Sequence, residues 1–495
     1  MPGGVLRTLN PAKTDGTKLH SRYNPQAEAA RYVDSLNLKD NIKCFILIEP
    51  GLGYIIPVLK ERFKSSRIIV LHIDNFSVSD EGIPVLYSTE TAEVQGFLEK
   101  NIPDTDINDI RIIEWRPSVN FFKDKYLKIL SQVAGFLKQT DAVNRTTKTF
   151  GRRWVRNFFN NLENTCKILL YRKASLPVII TGSGPSLEQT LPLIKKYENQ
   201  FLIIAASSSV TALSHNGIKA DLIITTDGGC WSLHHIYPCI RNKQILETPL
   251  ALNLCAALPS QCCVSSKLII NDGSFWQNII LHKLSIPSVI IPQRGTVTAT
   301  AAELAMILSS GSIYLTGMDF SVMDIRTHVR PYGFDSLFFG NANRFHPVYT
   351  ELYTRSAQIK QGGSLDIYAA WFKNQLTSWP KRIFNIGLNH KIFENTDILF
   401  NDDKVLMNKN KLNNKSKNIE KEDFFKIIEK NEDPEFFRKR GTQALIKALN
   451  DPEYKENLRK ELGSLLFPDD NEFSQKDLET AIINISMKTN EISDI

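Results

Sequence analysis

Residues 176–187 read LPVIITGSGPSL, an apolar run ending in Gly182-Ser183-Gly184-Pro185-Ser186, and this stretch has the form of a strand, a tight turn and a helix start. Glycine lets the backbone turn sharply and pass close to a ligand. Pro185 has no N–H to lose and already holds a helical φ, so it suits the first helical position. Free N–H groups at that helix end, with the positive end of the helix dipole, favour a phosphate or a carboxylate. A glycine turn without a ligand has the same local sequence, so the assignment depends on what surrounds it.

Working outward, the segment from Leu176 to about Ile386 repeats short β-rich apolar runs with helical patterns between them: VIITG, FLIIAA, DLIITT, KLIIN, SVIIP and SIYLTG. Such alternation predicts an α/β domain with a mostly parallel sheet covered by helices on both faces. Ligands of open α/β sheets bind outside the carboxyl ends of the strands. Polar clusters follow these runs: Ser207-Ser208-Ser209, Asp227-Gly228-Gly229, and Arg294-Gly295-Thr296 with Thr298. Hydroxyls and backbone donors hold phosphate and ribose oxygens, Arg294 offers a forked pair of N–H groups to a phosphate, and Asp227 accepts from a sugar hydroxyl or a base amine. Serines after a strand and an aspartate before two glycines are also common turn residues. The sixth run leads into Gly317-Met318-Asp319-Phe320 and then Thr327-His328-Val329-Arg330-Pro331. His328 is the candidate general base, since a neutral imidazole near its unperturbed pKa takes a hydroxyl proton at cytoplasmic pH. His346 competes for that role, with His234 and His235 behind it.

Residues 43–74, KCFILIEPGLGYIIPVLKERFKSSRIIVLHID, form a β-turn-α-β pattern and predict a Rossmann-like domain near the N-terminus. Gly51, Gly53 and Asp74 stand where a dinucleotide or methyl-donor site has its glycine turn and ribose acceptor, but two glycines fit a structural turn better. Between Asp141 and Lys173 the chain turns basic and aromatic, and Trp154, Phe158 and Leu162 recur at helical spacing, which predicts an amphipathic connecting helix with Arg152, Arg153 and Arg156 on a solvated face. After Asn401 the composition becomes Lys/Asn-rich, as in a flexible linker, and EDFFKIIEK, PEFFRKRGTQALIKALN and KDLETAIINISMK then carry helical spacing. The chain divides into residues 1–150, 151–400 and 401–495, with the small helical C-terminal region available to a partner or a second copy.

At 495 residues the chain exceeds a single core, and its 42% hydrophobic and 23% charged content is that of a globular protein. A net charge of +7 spread over this length points to small anions and nucleotides and away from a nucleic-acid surface. Seven scattered cysteines without CxxC spacing exclude a disulfide framework and a zinc site. Without an apolar leader or a long apolar run, the expected location is the cytoplasm, with no membrane span. Oligomeric state is left open.

Three passages resemble the motility-associated factor (Maf) flagellin glycosyltransferases: PGLGY, FGRRWVRNFFNNL, and GSGPSL with its downstream GMDFS and THVRP. The resemblance covers roughly residues 40–360. The central domain is also similar to bacterial sialyltransferases that use CMP-activated sugars, through Gly182 to Ser186, Gln293-Arg294-Gly295-Thr296 and Gly317-Met318-Asp319-Phe320. The resemblance implies a sialyltransferase-like central sheet and metal-independent transfer of a nonulosonic acid (sialic, pseudaminic or legionaminic type) from its CMP conjugate to Ser or Thr of flagellin, with no cofactor. Gly182, Ser183, Gly184, Pro185, Ser186, Ser207, Ser208, Asp227 and Gly228 would hold the nucleotide. Arg294, Gly295, Thr296, Thr298, Gly317 and Arg330 would complete the sugar-nucleotide site, and His328 with Asp319 would be catalytic, although a more distal base would suit His346.

The same domain is similar to archaeal hydroxymethylpterin diphosphokinases. Phosphoryl transfer from ATP needs carboxylates to hold magnesium, and Asp227 is the single carboxylate at the strand ends after FLIIAA and DLIITT, which ranks the kinase below glycosyl transfer. A third reading is a non-catalytic nucleotide-binding flagellar assembly factor, which would bind CMP without His328 and transfer no sugar.

Overall fold

The computed structural model describes residues 18–74, 82–102, 107, 109–241, 243–360, 364–380, 382–386, 424–429, 434–468, 470 and 472–486. The polar stretch 401–423 lies outside them. Two compact units divide the chain at residues 149 and 150, inside the helix Asp124–Glu163.

The first unit is a four-stranded parallel sheet of β1 (Cys44–Ile48), β2 (Arg67–His72), β3 (Val85–Tyr87) and β4 (Ile110–Glu114) in the order β3-β2-β1-β4. Strand β1, CFILI, is buried at every position, as a strand with helices on both faces must be. Cys44, Ile46 and Ile48 pack with Val94, Leu98, Tyr126 and Ile129 on one face, and Phe45 and Leu47 with Val33, Ile55 and Leu59 on the other. This is the predicted Rossmann-like unit.

The second unit holds a ten-stranded sheet. Its strands are β5 (Lys167–Tyr171), β6 (Val178–Thr181), β7 (Leu202–Ala206), β8 (Leu222–Thr225), β9 (Leu250–Asn253), β10 (Lys267–Asn271), β11 (Val289–Ile290), β12 (Ile313–Thr316), β13 (Ile383–Asn385) and β14 (Phe425–Glu429). The order is β13-β12-β6-β7-β8-β9-β10-β5-β14, with β11 beside β10, and only the pairing of β14 with β5 is antiparallel among the described strands. The six quoted apolar runs are β6, β7, β8, β10, β11 and β12. Val178, Ile180, Leu202 and Ile204 face the alanine-rich helix Val297–Leu308, whose small side chains let it lie close to the sheet. Ile179 and Ile203 face the helix Leu187–Tyr197 through Leu191 and Ile194.

Two expectations are corrected. The connecting helix stops at Glu163, and KILLY, read as its continuation, is β5. The run Phe425–Glu429, read as helical, is β14. Short apolar runs satisfy both periods, and the open edge of β5, with its unpaired N–H and C=O groups, decides for a strand.

The helices Pro434–Leu449, Pro452–Leu466 and Gln475–Ser486 turn their apolar faces into the core of this unit: Leu445, Leu458, Leu462 and Ile482 are fully buried with Phe158, Phe159, Trp276 and Ile280. Ionic groups fasten them. Arg438 Nη1 lies 2.6 Å from Glu163, and the Glu461 carboxylate accepts from the N–H groups of Phe275 (3.0 Å) and Trp276 (3.1 Å) at the start of the helix Phe275–Lys283. All seven cysteines are free thiols; Cys262 is buried and Cys263 partly exposed. Among the described residues no helix is long and apolar enough to cross a membrane.

Because Leu462 is fully buried, Leu462→Ala is expected to cost about 2–5 kcal/mol in denaturant unfolding of this unit. A change below about 0.5 kcal/mol, the level of a surface substitution, would show these helices to be peripheral.

Candidate functional site

The glycine loop after β6 is seated against the turn after β12. Gly182 N–H donates to Thr316 O (2.7 Å) and Gly184 N–H to Gly317 O (2.7 Å). A Cβ on Gly182 would overlap the Gly317 carbonyl, and one on Gly317, which sits at φ +67°, would overlap that of Gly182. Asp319, 3% exposed, reaches under the loop: its Oδ2 accepts from Ser186 N–H (2.7 Å) and its Oδ1 from the Ser186 hydroxyl. Leu187 and Glu188 N–H groups close on Gly184 O and Pro185 O. The anion that this helix end favours is therefore supplied by the chain itself. Ser186 is fully buried, so it and Asp319 brace the loop rather than face a ligand. Thr298 lies against Gly182, and Ser209 bonds to Thr181 (2.8 Å) and Ala206 O (2.8 Å), leaving Ser183 and Ser208 as the partly exposed serines of the two loops.

The His328 segment is bound to that loop. Val329 N–H donates to Ser183 O (2.8 Å), and Glu188, in the first turn of the helix, accepts from Arg330 N–H (3.0 Å) and Arg326 Nη1 (2.6 Å). The His328 ring stacks on Tyr332 with centroids 4.1 Å apart, and its Nδ1 lies 2.9 Å from Thr327 Oγ1. Tyr332 OH is 3.5 Å from His235 Nε2. Burial, then His235 and Arg355, hold the His328 pKa down at about 3; burial and His234 hold His235 at about 4. The expectation of an unperturbed imidazole is corrected: His328 is neutral throughout the physiological range because its charged form is desolvated. His346 is exposed in a turn closed by Asn343.

The remaining clusters serve the scaffold in part. Asp227 Oδ1 accepts from Gly229 N–H (2.7 Å), and a Cβ on Gly228 would overlap the Trp154 indole. Thr296 caps the helix Val297–Leu308 by accepting from Ala299 N–H (3.1 Å), and Gly295, at φ +76°, packs against Tyr368. Arg294 Nε is bonded to Glu303 (2.9 Å), and its guanidinium lies 5.7 Å from the Trp371 ring centre. Strand order sets the loops after β12, β6, β7 and β8 side by side. Arg294 leaves from β11, beyond β9, and the following helix returns Thr298 to Gly182.

Asn157 and Asn161 were not singled out by sequence reasoning. Asn157 donates to Gly228 O (3.2 Å) and Cys255 O (3.0 Å), and Asn161 to Leu254 O (2.8 Å) and Ala256 O (2.7 Å), so the connecting helix holds the loops after β8 and β9. Their four-residue spacing on the Trp154 and Phe158 side was the available signal. Arg152, Arg153 and Arg156 are exposed, as expected, with Arg152 also bonded to Leu466 O (2.7 Å).

In the first unit, the turn of Gly51 and Gly53 is occupied by the chain's own imidazole. Leu52 N–H donates to His20 Nε2 (2.8 Å), and a Cβ on Gly51 would overlap that ring. Buried Glu49 contacts His72 Nδ1 (3.0 Å) and accepts from Ile73 N–H (2.7 Å) and Asp74 N–H (3.3 Å), tying the ends of β1 and β2 together. The turn is structural.

A Cβ on Gly184 would lie 2.5 Å from Asp319 Oδ2, so Gly184→Ala is expected to lower stability by about 1–3 kcal/mol, read from the denaturation midpoint. The pH response is a second test. Unfolded imidazoles titrate near 6.5, those of His328 and His235 at about 3 and about 4, so as pH falls the unfolded chain takes protons first. Stability is expected to decline as pH falls from about 6.5 to about 4, and His328→Gln or His235→Gln should flatten that decline. An unchanged pH slope would overturn the desolvated, neutral assignment.

Residues 152–324 match the family model described as 6-hydroxymethylpterin diphosphokinase MptE-like. An uncharacterized protein of Treponema pallidum (strain Nichols) is 28% identical over 302 residues, which are 60% of this chain; the match spans 64% of that relative's length. Among solved structures, the Maf glycosyltransferase from Magnetospirillum magneticum AMB-1 aligns with 97% of this chain and 85% of its own, at 12% identity and a TM-score of 0.58. The chain thus has the fold of a Maf glycosyltransferase, with an MptE-like region at its centre.

Proposed function

We propose that the protein is a glycosyltransferase that moves a nonulosonic acid of sialic, pseudaminic or legionaminic type from its CMP conjugate to a Ser or Thr hydroxyl of flagellin, without a metal or a further cofactor. The observation that carries the reading is the joint between the glycine loop and the His328 segment, in which the Val329–Ser183 bond and the grip of Glu188 hold a neutral imidazole at the carboxyl edge of the sheet. The likeness of fold to a glycosyltransferase supports the same class.

In this mechanism Nδ1–H of His328 donates to Thr327, which leaves the Nε2 lone pair for the acceptor hydroxyl. Tyr332 fixes the plane of the ring. As the acceptor oxygen bonds to the anomeric carbon, its proton passes to Nε2, and the bond from that carbon to the phosphate oxygen breaks with its electron pair leaving on CMP. Arg355, whose charge is felt at both His328 and Tyr332, favours an anion beside them. Ser183 and Ser208, the partly exposed serines of the two loops, would hold the nucleotide, with Arg294 and Arg330 as further cations; Ser207 is buried. Asp319 acts as a positioning residue for the loop.

The diphosphokinase reading is disfavoured by the carboxylates. Asp319 is buried against Ser186, and Asp227 is fixed within its own turn, so the two do not share a magnesium ion.

His328→Ala is expected to keep CMP-induced thermal stabilisation and to lose transfer to flagellin by about 10²–10⁴-fold. Persistence of transfer in that variant, with loss in His346→Ala, would move the base to His346. Stabilisation by ATP with magnesium but not by CMP would favour the diphosphokinase, and CMP binding without transfer of any activated nonulosonate would favour the assembly factor. The pH profile of kcat/KM gives a further check: with the free-enzyme imidazole at about 3, no acid limb centred near 6.5 is expected.

A further inference from the structure

The loop after β8 carries Asp227, which the sequence offers as an acceptor for a sugar hydroxyl or a base amine, and Trp231, which sequence reading did not single out; the catalytic step above uses neither. Trp231 is 63% exposed, yet its ring is held in place from behind. The indole lies 5.6 Å from the His234 imidazole at an interplanar angle of 17°, and 6.4 Å from Phe334. Phe334 in turn packs on His235 (5.1 Å) and Tyr332 (5.6 Å), and Tyr332 on His328. A fixed column of rings therefore runs from the base to an indole that meets solvent.

Asp227 stands four residues before it, exposed and oriented. Its Oδ1 is fixed by Gly229 N–H, and its carbonyl accepts from Ala257 N–H (2.9 Å) and the Ser232 hydroxyl (3.3 Å). Gly228 is pinned beneath Trp154, and Arg153 lies 3.9 Å from Cys230 Sγ, so the turn is preorganised. Strands β6 and β8 are separated by β7 alone. Two strand spacings, about 10 Å, is the reach from the phosphate of a nucleotide to its base.

We propose that Trp231 and Asp227 form a base-reading corner: the exposed indole stacks on a pyrimidine, and the Asp227 carboxylate accepts from the exocyclic amine of cytosine. This deepens, and rests on, the reading of the protein as a CMP-sugar enzyme. Stacking tolerates every base, because every base has a π face. Discrimination comes from the carboxylate, since uracil presents a carbonyl oxygen where cytosine presents an amine. The corner thus selects cytidine over uridine nucleotides.

The test is the dissociation constants of CMP and UMP for the full-length protein and its variants by calorimetry, with melting temperatures recorded alongside. Trp231→Ala is expected to weaken both nucleotides by roughly 5- to 150-fold, and Trp231→Tyr to retain near-native affinity. Asp227→Asn is expected to narrow or reverse the preference for CMP, because an amide can donate to the uracil carbonyl. CMP should also slow alkylation of Cys230, the exposed thiol next to Trp231. Native CMP affinity in Trp231→Ala, or an unchanged CMP/UMP ratio in Asp227→Asn, at an unaltered melting temperature, would overturn the corner and leave the proposed function standing. Failure of the unaltered protein to bind either nucleotide would remove both.

Discussion

Two glycine turns meet backbone to backbone at the carboxyl ends of β6 and β12, and the candidate site hangs from that contact. No side chain fits between Gly182 and Gly317, and the closeness of the turns lets Asp319 pass under the loop to the first turn of the next helix. A buried carboxylate without partners costs several kcal/mol. Here the Ser186 N–H, its hydroxyl and the positive helix end offset that cost. With the helix direction so set, Glu188 points at the following loop and holds Arg326 and the backbone of Arg330, and His328 is carried to the glycine loop as a consequence.

Ionic groups elsewhere in the second unit work in the same way, as ties between backbone segments. Lys267, fully buried, donates to the carbonyls of Asn164, Cys262, Cys263 and Ser265, and burial lowers its pKa to about 8. Glu461 closes the start of one helix and Arg438 joins Glu163. Each buried charge meets several complementary dipoles or an opposite charge, as the low dielectric of the interior demands. His328 and His235 are the contrast. They stand among rings, His328 also beside Arg355, and burial disfavours the imidazolium of each, so both remain neutral.

The two units treat a similar glycine turn in related ways. In the second, the helix end after the turn receives the carboxylate of Asp319; in the first, the turn receives the imidazole of His20. Both are internal ligands at positions where local sequence suggests an external one. A glycine turn records that something comes close to the backbone, not whether that partner belongs to the chain.

What was legible in the sequence is what depends on near neighbours along the chain. The six apolar runs, the glycine turns and the β-turn-α-β pattern of residues 43–74 follow from periodicity and from φ, properties of a few adjacent residues. Tertiary structure alone decided the rest. Ser186 and Asp319 are 133 positions apart, β14 became a strand because β5 had an open edge, and the basicity of His328 was set by rings and an arginine from other elements. Solvation and long-range hydrogen bonding belong to the packed molecule, since no short segment determines which distant groups will exclude water from it.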